Sequence, residues 1–184
     1  MTDKHEIRRR MRNRKQLLSD QERLDAASRV FDALERTAAF LLADRIMIYH
    51  SLPDELSTLR FLRKWAGRKQ FFLPRVHGVN LELLPYIPDE TAPGAYGIEE
   101  PLGDEVADPA TMEMIVVPSM ALDRRGNRVG RGKGFYDRLL PLTRATTVGV
   151  GYDFQLIDDF EPDPMDSPLD FVITETHTIR CIRR

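Results

Sequence analysis

Apolar side chains recur along this chain at two different spacings, and these divide it into helices and strands. Ile7, Met11 and Leu18 fall at helical intervals, which predicts an amphipathic helix over 4–18. Ser19 followed by Glu22 has the spacing of a capping box, in which hydroxyl and carboxylate each satisfy a free backbone N–H at a helix start. The helix it opens is predicted over about 20–41, with Leu24, Ala27, Phe31, Leu34 and Ala38 as its buried stripe. Arg45-Ile46-Met47-Ile48-Tyr49 reads as a short buried strand, and Pro53-Asp54-Glu55 lies in the loop beyond its C-terminal end. Thr58 to Ala66 reads as a helix stopped by Gly67. Gln70 to Leu73 reads as a strand ended by Pro74, and Leu81 to Leu84 as an antiparallel edge strand.

Pro85 to Pro109 is rich in proline, glycine and acid, and is predicted to be a loop wrapping the body. Met114-Ile115-Val116-Val117 is the clearest buried strand, closed by Pro118. A helix over Phe135 to Leu140, ended by Pro141, precedes two more strands at Thr146 to Val150 and Phe171 to Thr174. Strands alternating with helices predict an α/β fold of three layers, a mostly parallel sheet with helices on both faces. At 184 residues, a single domain over 1–184 is expected.

Composition narrows the classes. Hydrophobic residues are 42% and charged residues 30%, with a net charge of −2, which excludes disorder throughout the chain. The longest apolar runs fall far short of the ~20 residues that a spanning helix needs. The lone Cys181 excludes an internal disulfide and a zinc site of paired cysteines. The polar, basic start has no apolar signal core, so a cytoplasmic protein is expected. Charge is uneven: residues 1–15 carry +5 and the rest −7. A basic opening on an acidic body predicts either an anionic partner at that end or a solvated helix face. Membrane binding ranks low, because no Trp or Phe face accompanies the arginines.

The candidate chemistry centres on the segment from Asp123 to Asp137, which reads DRRGNRVGRGKGFYD after the Val116-Val117 strand. Gly130, Gly132 and Gly134 let the backbone approach a ligand closely, and N–H groups in such a loop form an anion nest ahead of a helix. Arg128, Arg131 and Lys133 add charge, arginine by forking two phosphate oxygens and lysine as a compact cation. Asp137 stands where a carboxylate can hold Mg²⁺ against phosphates. The spacing fits neither a Walker loop nor the dinucleotide fingerprint, whose third glycine would fall at Phe135. A mobile surface loop is the alternative, but ligands bind at such strand ends in open α/β sheets.

Three further places are candidates to converge there, all within a radius of gyration near ~16 Å, and one histidine is a candidate to line the pocket. Lys4 and Arg8 share a helix face and either grip a phosphate tail or stay solvated. Glu55 either accepts from an N–H-rich heterocycle or only precedes a helix. Asp166 is either a second metal carboxylate or one acid in a solvated loop. His50 follows a strand directly and either lines the pocket or is simply packed or exposed. No histidine spacing suits a metal, and no nucleophile elbow is present.

At these residues the sequence resembles the 5-formyltetrahydrofolate cyclo-ligase family along nearly the full chain. The resemblance rests on Lys4-x-x-x-Arg8, Pro53-Asp54-Glu55, Gly97-Ile98-x-Glu100-Pro101 and Val117-Pro118. It rests above all on Arg128-x-Gly130-Arg131-Gly132-Lys133-Gly134-Phe135-Tyr136-Asp137, and on Asp166-x-x-x-Asp170 before Val172-Ile173-Thr174-Glu175. It implies an ATP- and Mg²⁺-dependent enzyme making 5,10-methenyltetrahydrofolate, ADP and phosphate, with the γ-phosphoryl group passing to the formyl oxygen before the ring closes. Carried over, Lys4, Arg8, Arg128, Val129, Gly130, Arg131, Gly132, Lys133, Gly134, Phe135 and Tyr136 would bind ATP, with Arg131 and Lys133 catalytic. Asp137 and Asp166 would hold Mg²⁺, and His50 and Glu55 would contact the folate. Ser119 stands where the family often has glycine, Met165 where histidine commonly precedes the aspartate, and Leu81-Glu82-Leu83 replaces a methionine-aromatic segment. The expected partners are the two small-molecule substrates, with no nucleic acid or membrane, and a monomer is expected. A nucleotide- or RNA-binding module and a sugar-phosphate or acyl-transfer enzyme are the competing classes; the first lacks interleaved aromatics.

Overall fold

The computed structural model describes residues 3–158 and 160–182. Helix α1 (Lys4–Gln16) buries Ile7 and Met11, one turn apart, while Leu18 is only half-buried. The capping box forms as predicted: Ser19 Oγ accepts from Glu22 N at 3.1 Å, and the Glu22 carboxylate accepts from Ser19 N at 2.7 Å. Helix α2 (Asp20–Glu35) stops earlier than the expected 20–41, and a short helix α3 (Ala38–Leu42) follows. Thr37 makes the break, because its hydroxyl donates to Leu34 O at 2.7 Å and accepts from Phe40 N at 3.2 Å. Such local bonds compete with helix continuation. Ala27, Phe31 and Leu34 are buried as expected, joined by Ala26 and Val30, but Leu24 is 57% exposed and Ala38 is exposed.

Strand β1 (Arg45–Ile48), helix α4 (Leu59–Trp65), strand β2 (Gln70–His77) and strand β3 (Asn80–Pro85) follow. β2 runs through Pro74 instead of ending there. It pairs with β1 only over Gln70–Phe72, so Pro74 faces β3 alone, opposite Leu83, beyond the doubly paired part of the strand. The stretch 85–109, expected to be loop, contains a small hairpin of β4 (Thr91–Pro93) and β5 (Glu99–Pro101). The Glu100 carboxylate tethers it, accepting from Val76 N at 2.7 Å and Ala95 N at 2.8 Å. Then come β6 (Met114–Pro118), a two-residue-strand hairpin of β7 (Ala121–Leu122) and β8 (Arg128–Val129), and helix α5 (Phe135–Leu139). Strands β9 (Thr146–Val150), β10 (Phe171–Ile173) and β11 (Thr178–Arg180) complete the order.

Seven strands form the central sheet in the order β11-β10-β9-β6-β1-β2-β3. The five inner strands run parallel, and β11 and β3 add antiparallel edges. Alternation decides the two faces. Ile46, Ile48, Phe71, Leu73, Met114 and Val116 face one core with Phe31, Leu34 and Phe61 of α2 and α4. Met47, Phe72, Ile115, Val117 and Val172 face the other, under Leu139 of α5 and Leu140. The expected α/β fold with helices on both faces is what forms. A third apolar cluster joins Ile7 and Met11 of α1 to Ala121, Val129 and Phe160, which docks the first helix on the β7–β8 hairpin. The direction of strand succession across the sheet reverses between β1, which proceeds to β2 on one side, and β6, which proceeds to β9 on the other. That is the crevice where ligands of open α/β sheets bind.

Gly126, in the hairpin turn, has φ +87°, and a Cβ there would lie 2.3 Å from the Leu169 carbonyl oxygen. Gly126→Ala is therefore expected to cost about 1–3 kcal/mol from the backbone alone. At about 2–4 °C per kcal/mol, Tm should fall by several degrees. An unchanged thermal unfolding midpoint would contradict this account of the turn.

Candidate active site

A cavity of about 830 Å³ opens at the C-terminal ends of β1 and β6. Tyr49 and His50 enter it from β1, Pro118 and Ser119 from β6, and the glycine-rich loop from β8 to α5 forms one wall. Lys4, Arg8, His50, Glu55, Arg128, Gly130 to Asp137 and Asp166 all line it. The sequence-predicted residues thus meet, with the exception of Val129. Strand alternation turns Val129 away from the cavity into the cluster with Ile7 and Met11, 1% exposed. A second cavity of about 660 Å³, at the N-terminal ends of β9 and β10, contains none of the predicted residues.

The wall loop takes its path from Gly132 and Gly134, at φ +106° and +70°, a region open to glycine and strained for other residues. Arg8 Nε donates to Gly130 O at 2.7 Å, and Arg138 Nη2 to Lys133 O at 2.8 Å. Lys133 Nζ rests 5.2 Å from the Tyr96 ring centre, and Phe135 lies 6.0 Å from the same ring. Tyr96, from the turn of the β4–β5 hairpin, adopts φ +57°, and with Ile98 it closes one side of the cavity. Helix α5 has only five residues, so the positive character of the wall comes chiefly from side chains.

Three of the cavity's cations, Lys4, Arg128 and Arg131, have carboxylate partners. Lys4 Nζ lies 2.6 Å from both Asp163 Oδ2 and Asp166 Oδ2, tying α1 to the 163–166 turn. Burial would lower its pKa, but the two aspartates hold it above the ordinary lysine value. The buried Arg128 donates from Nη2 to Asp137 Oδ1 at 3.0 Å, with its guanidinium 5.4 Å from the Tyr136 ring centre. Arg131 Nη2 stands 2.8 Å from Asp54 Oδ1 and 3.6 Å from Glu55 Oε2. Asp54 also faces the buried Lys15, whose Nζ is 3.5 Å away. Burial pushes Asp54 up, and Lys15 and Arg131 outweigh it, so its pKa falls below the usual aspartate value. Glu55 goes the other way: burial outweighs Arg131 and raises it. Burial also lowers His50, against the opposing charge of Glu99, and raises Tyr136 far above an ordinary phenol.

The loop that carries Glu55 is rigidly placed. Tyr49 Oη donates to Leu56 O at 2.8 Å, Arg23 Nη1 to Pro53 O at 2.7 Å, and Leu52 N to Glu55 Oε1 at 2.9 Å. Sequence reading missed Asp54, Lys15, Asp163 and Tyr96. Asp54 adjoins Glu55 and Asp163 shares the acidic turn of Asp166, so both had a local signal. Lys15 was lost among the surface-type arginines of α1. Of the basic opening segment, Lys4, Arg8 and Lys15 turn inward, while Arg9, Arg10, Arg12 and Arg14 are exposed, so both alternatives hold in part.

Two buried polar atoms of cavity-lining residues, Ser119 Oγ and Arg128 Nε, have no hydrogen-bond partner among the described residues. The Ser119 backbone is fixed, since its carbonyl accepts from Gln155 Nε2 at 2.9 Å. An unsatisfied buried hydroxyl costs stability, so Ser119→Ala should leave the unfolding free energy unchanged or raise it by at most about 1–3 kcal/mol, with Tm unchanged or higher. A lowered Tm would mean that the hydroxyl is already bonded in the free protein.

Among the described residues no three His, Cys, Asp or Glu side chains are grouped to hold a metal. Asp137 and Asp166 belong instead to separate ion pairs facing the same cavity. Mg²⁺ that arrives with phosphates needs only one or two protein carboxylates, so this hard-oxygen donor set on a cation-rich wall fits it.

Comparison with known proteins bears on this arrangement directly. The sequence matches the 5-formyltetrahydrofolate cyclo-ligase family over residues 1–175. The 5-formyltetrahydrofolate cyclo-ligase of Escherichia coli K12 is 27% identical over 174 residues, 89% of this chain and 96% of the relative. That of Haemophilus influenzae is 32% identical over 137 residues, 69% of this chain and 73% of the relative. The NMR structure of Aquifex aeolicus 5,10-methenyltetrahydrofolate synthetase superimposes with a TM-score of 0.89 at 31% identity, covering 98% of this chain and 94% of that one. The synthetase from Mycoplasma pneumoniae, 20% identical with a TM-score of 0.76, shares the fold. With the glycine-arginine block, the strand order and the relatives in agreement over almost its whole length, this chain belongs to the 5-formyltetrahydrofolate cyclo-ligase family of enzymes.

Proposed function

We propose that the protein converts 5-formyltetrahydrofolate to 5,10-methenyltetrahydrofolate, with ATP cleaved to ADP and phosphate. The formyl oxygen takes the γ-phosphoryl group, and the second folate nitrogen then attacks the activated carbon as phosphate leaves with the oxygen. The observation that carries this reading is the single cavity of about 830 Å³ shared by the cation-bearing glycine loop and the buried Glu55. Its size falls in the range of sites that enclose cofactor-sized ligands.

An amide-like oxygen is a poor nucleophile, so alignment and charge neutralisation must supply most of the rate. Lys4, Arg8, Arg128 and the Gly130–Tyr136 backbone would hold the triphosphate, while Arg131 and Lys133 steady the charge that spreads during transfer. Glu55, with one oxygen on Leu52 N, would present Oε2 to accept an N–H of the folate ring, and His50 lines the same cavity. Asp137 and Asp166 would hold Mg²⁺, which when bound neutralises phosphate charge.

The test is to mix purified protein with Mg-ATP and 5-formyltetrahydrofolate and follow methenyl absorbance together with ADP. Absorbance should rise only with nucleotide and in step with ADP. Product without nucleotide, or nucleotide loss without product, would overturn the proposal.

A further inference from the structure

Arg131, the cation assigned to the phosphates, lies in this structure on carboxylates. Three chain segments meet at it: the glycine loop brings Arg131, the turn after β1 brings Asp54 and Glu55, and α1 brings Lys15. Asp54 sits between two cations, taking Arg131 on Oδ1 at 2.8 Å and Lys15 on Oδ2 at 3.5 Å. Glu55 has a side chain only 10% exposed and one nearby guanidinium, Arg131, at 3.6 Å. The two carboxylates therefore depend on Arg131 unequally. Without it, Asp54 keeps its ion pair with Lys15, whereas Glu55 keeps no ion pair among the described residues, only a backbone N–H on Oε1 and the longer-range charge of Lys15.

We propose that Arg131 exchanges these carboxylates for phosphate when nucleotide binds, with Asp54 the positioning residue that parks it, and that this exchange couples nucleotide and folate binding. A guanidinium already paired with carboxylates offers an incoming triphosphate little net charge, and the carboxylates repel it, so Arg131 must leave them to fork phosphate oxygens. Its departure leaves Glu55 with only the weaker, longer-range compensation of Lys15. A buried charge without a partner is costly, and that cost is relieved by a ligand that donates N–H groups to Oε2. A folate that satisfies Glu55 in turn loosens Arg131 for the phosphates. The coupling is positive and, being a binding free energy, equal in both directions. The inference rests on the proposed function, in that the glycine loop receives the triphosphate and Glu55 the folate.

The test uses the full chain at equilibrium, with a non-hydrolysable ATP analogue plus Mg²⁺ and 5-formyltetrahydrofolate. Each ligand is titrated alone and with the other saturating. Each should tighten the other by the same factor, about 5–150-fold. Asp54→Asn, which keeps the side-chain shape, should bind the analogue alone more tightly, by up to about five-fold, because a competing charge is gone. If Asp54 merely propped up the loop, the same variant would bind more weakly. Glu55→Gln should bring the coupling factor close to one. Binding of both ligands to the unmodified protein with a factor within two of unity overturns the inference and leaves the proposed function standing. Failure of both ligands to bind overturns the two together. Because the unmodified protein alone decides the coupling, an unstable variant does not rescue the idea.

Discussion

Lys133→Ala and Arg131→Ala are each expected to lower kcat/KM by about 10²-fold or more, the scale for losing one preorganised stabiliser of transition-state charge. That corresponds to about 2.7 kcal/mol of transition-state stabilisation. The two variants should differ in kind. Lys133 is an exposed residue whose ammonium lies over the Tyr96 ring, and the loop's path is set by Gly132 and Gly134. Truncating it should leave the unfolding free energy within about 0.5 kcal/mol of the parent, so the lost rate reports chemistry. Arg131 also neutralises Glu55, so its removal should disturb folate affinity as well as turnover. Near-normal turnover in both would refute the assignment of the glycine loop.

Asp137→Asn should raise the Mg²⁺ concentration for half-maximal activity about ten-fold or more, by comparison with the 10–100-fold losses seen when supporting groups of metal sites are removed. It should also destabilise the fold. Arg128 is nearly inaccessible, its Nε already lacks a partner, and Asp137 Oδ1 is the carboxylate oxygen it meets. Breaking a fully buried pair costs about 3–5 kcal/mol. Asp137 is 26% exposed and asparagine can still accept one hydrogen bond, so a loss of about 1–2 kcal/mol is expected, or about 2–8 °C in Tm. Asp166→Asn supplies the contrast: Lys4 keeps Asp163, so the metal titration should shift with little change in Tm. Unchanged titrations in both variants would remove these aspartates from the metal site.

Elements with a local physical cause were readable from sequence. The run Met114–Pro118 could only be a buried strand, and Ser19 with Glu22 fixed the start of α2. The elements that escaped are those decided elsewhere. β11 is three mostly exposed residues ordered by pairing with β10. The β7–β8 hairpin is organised by Asp123, whose fully buried carboxylate accepts from Arg125 N, Asn127 N and Asn127 Nδ2, and no hydrophobic alternation announces that. Pro74 looked like a strand end because the missing neighbour that tolerates it is a property of the sheet. In the site, the glycine-arginine block and the strand-end residues His50 and Glu55 were legible. The pairing of Lys15 and Arg131 with Asp54 was not, since it joins side chains far apart in the chain and no spacing rule describes it.

The clasp between Lys4 and the turn at Asp163 and Asp166 spans about 160 positions. During synthesis the N-terminal helix emerges first and must wait for its acidic partner. A nascent chain stopped short of that turn has most of the sheet but an unfinished binding chamber. The same geometry bears on laboratory handling. Lys4 itself lines the chamber, so a bulky purification tag joined close before it is expected to hinder substrate access, which cleavage of the tag should restore.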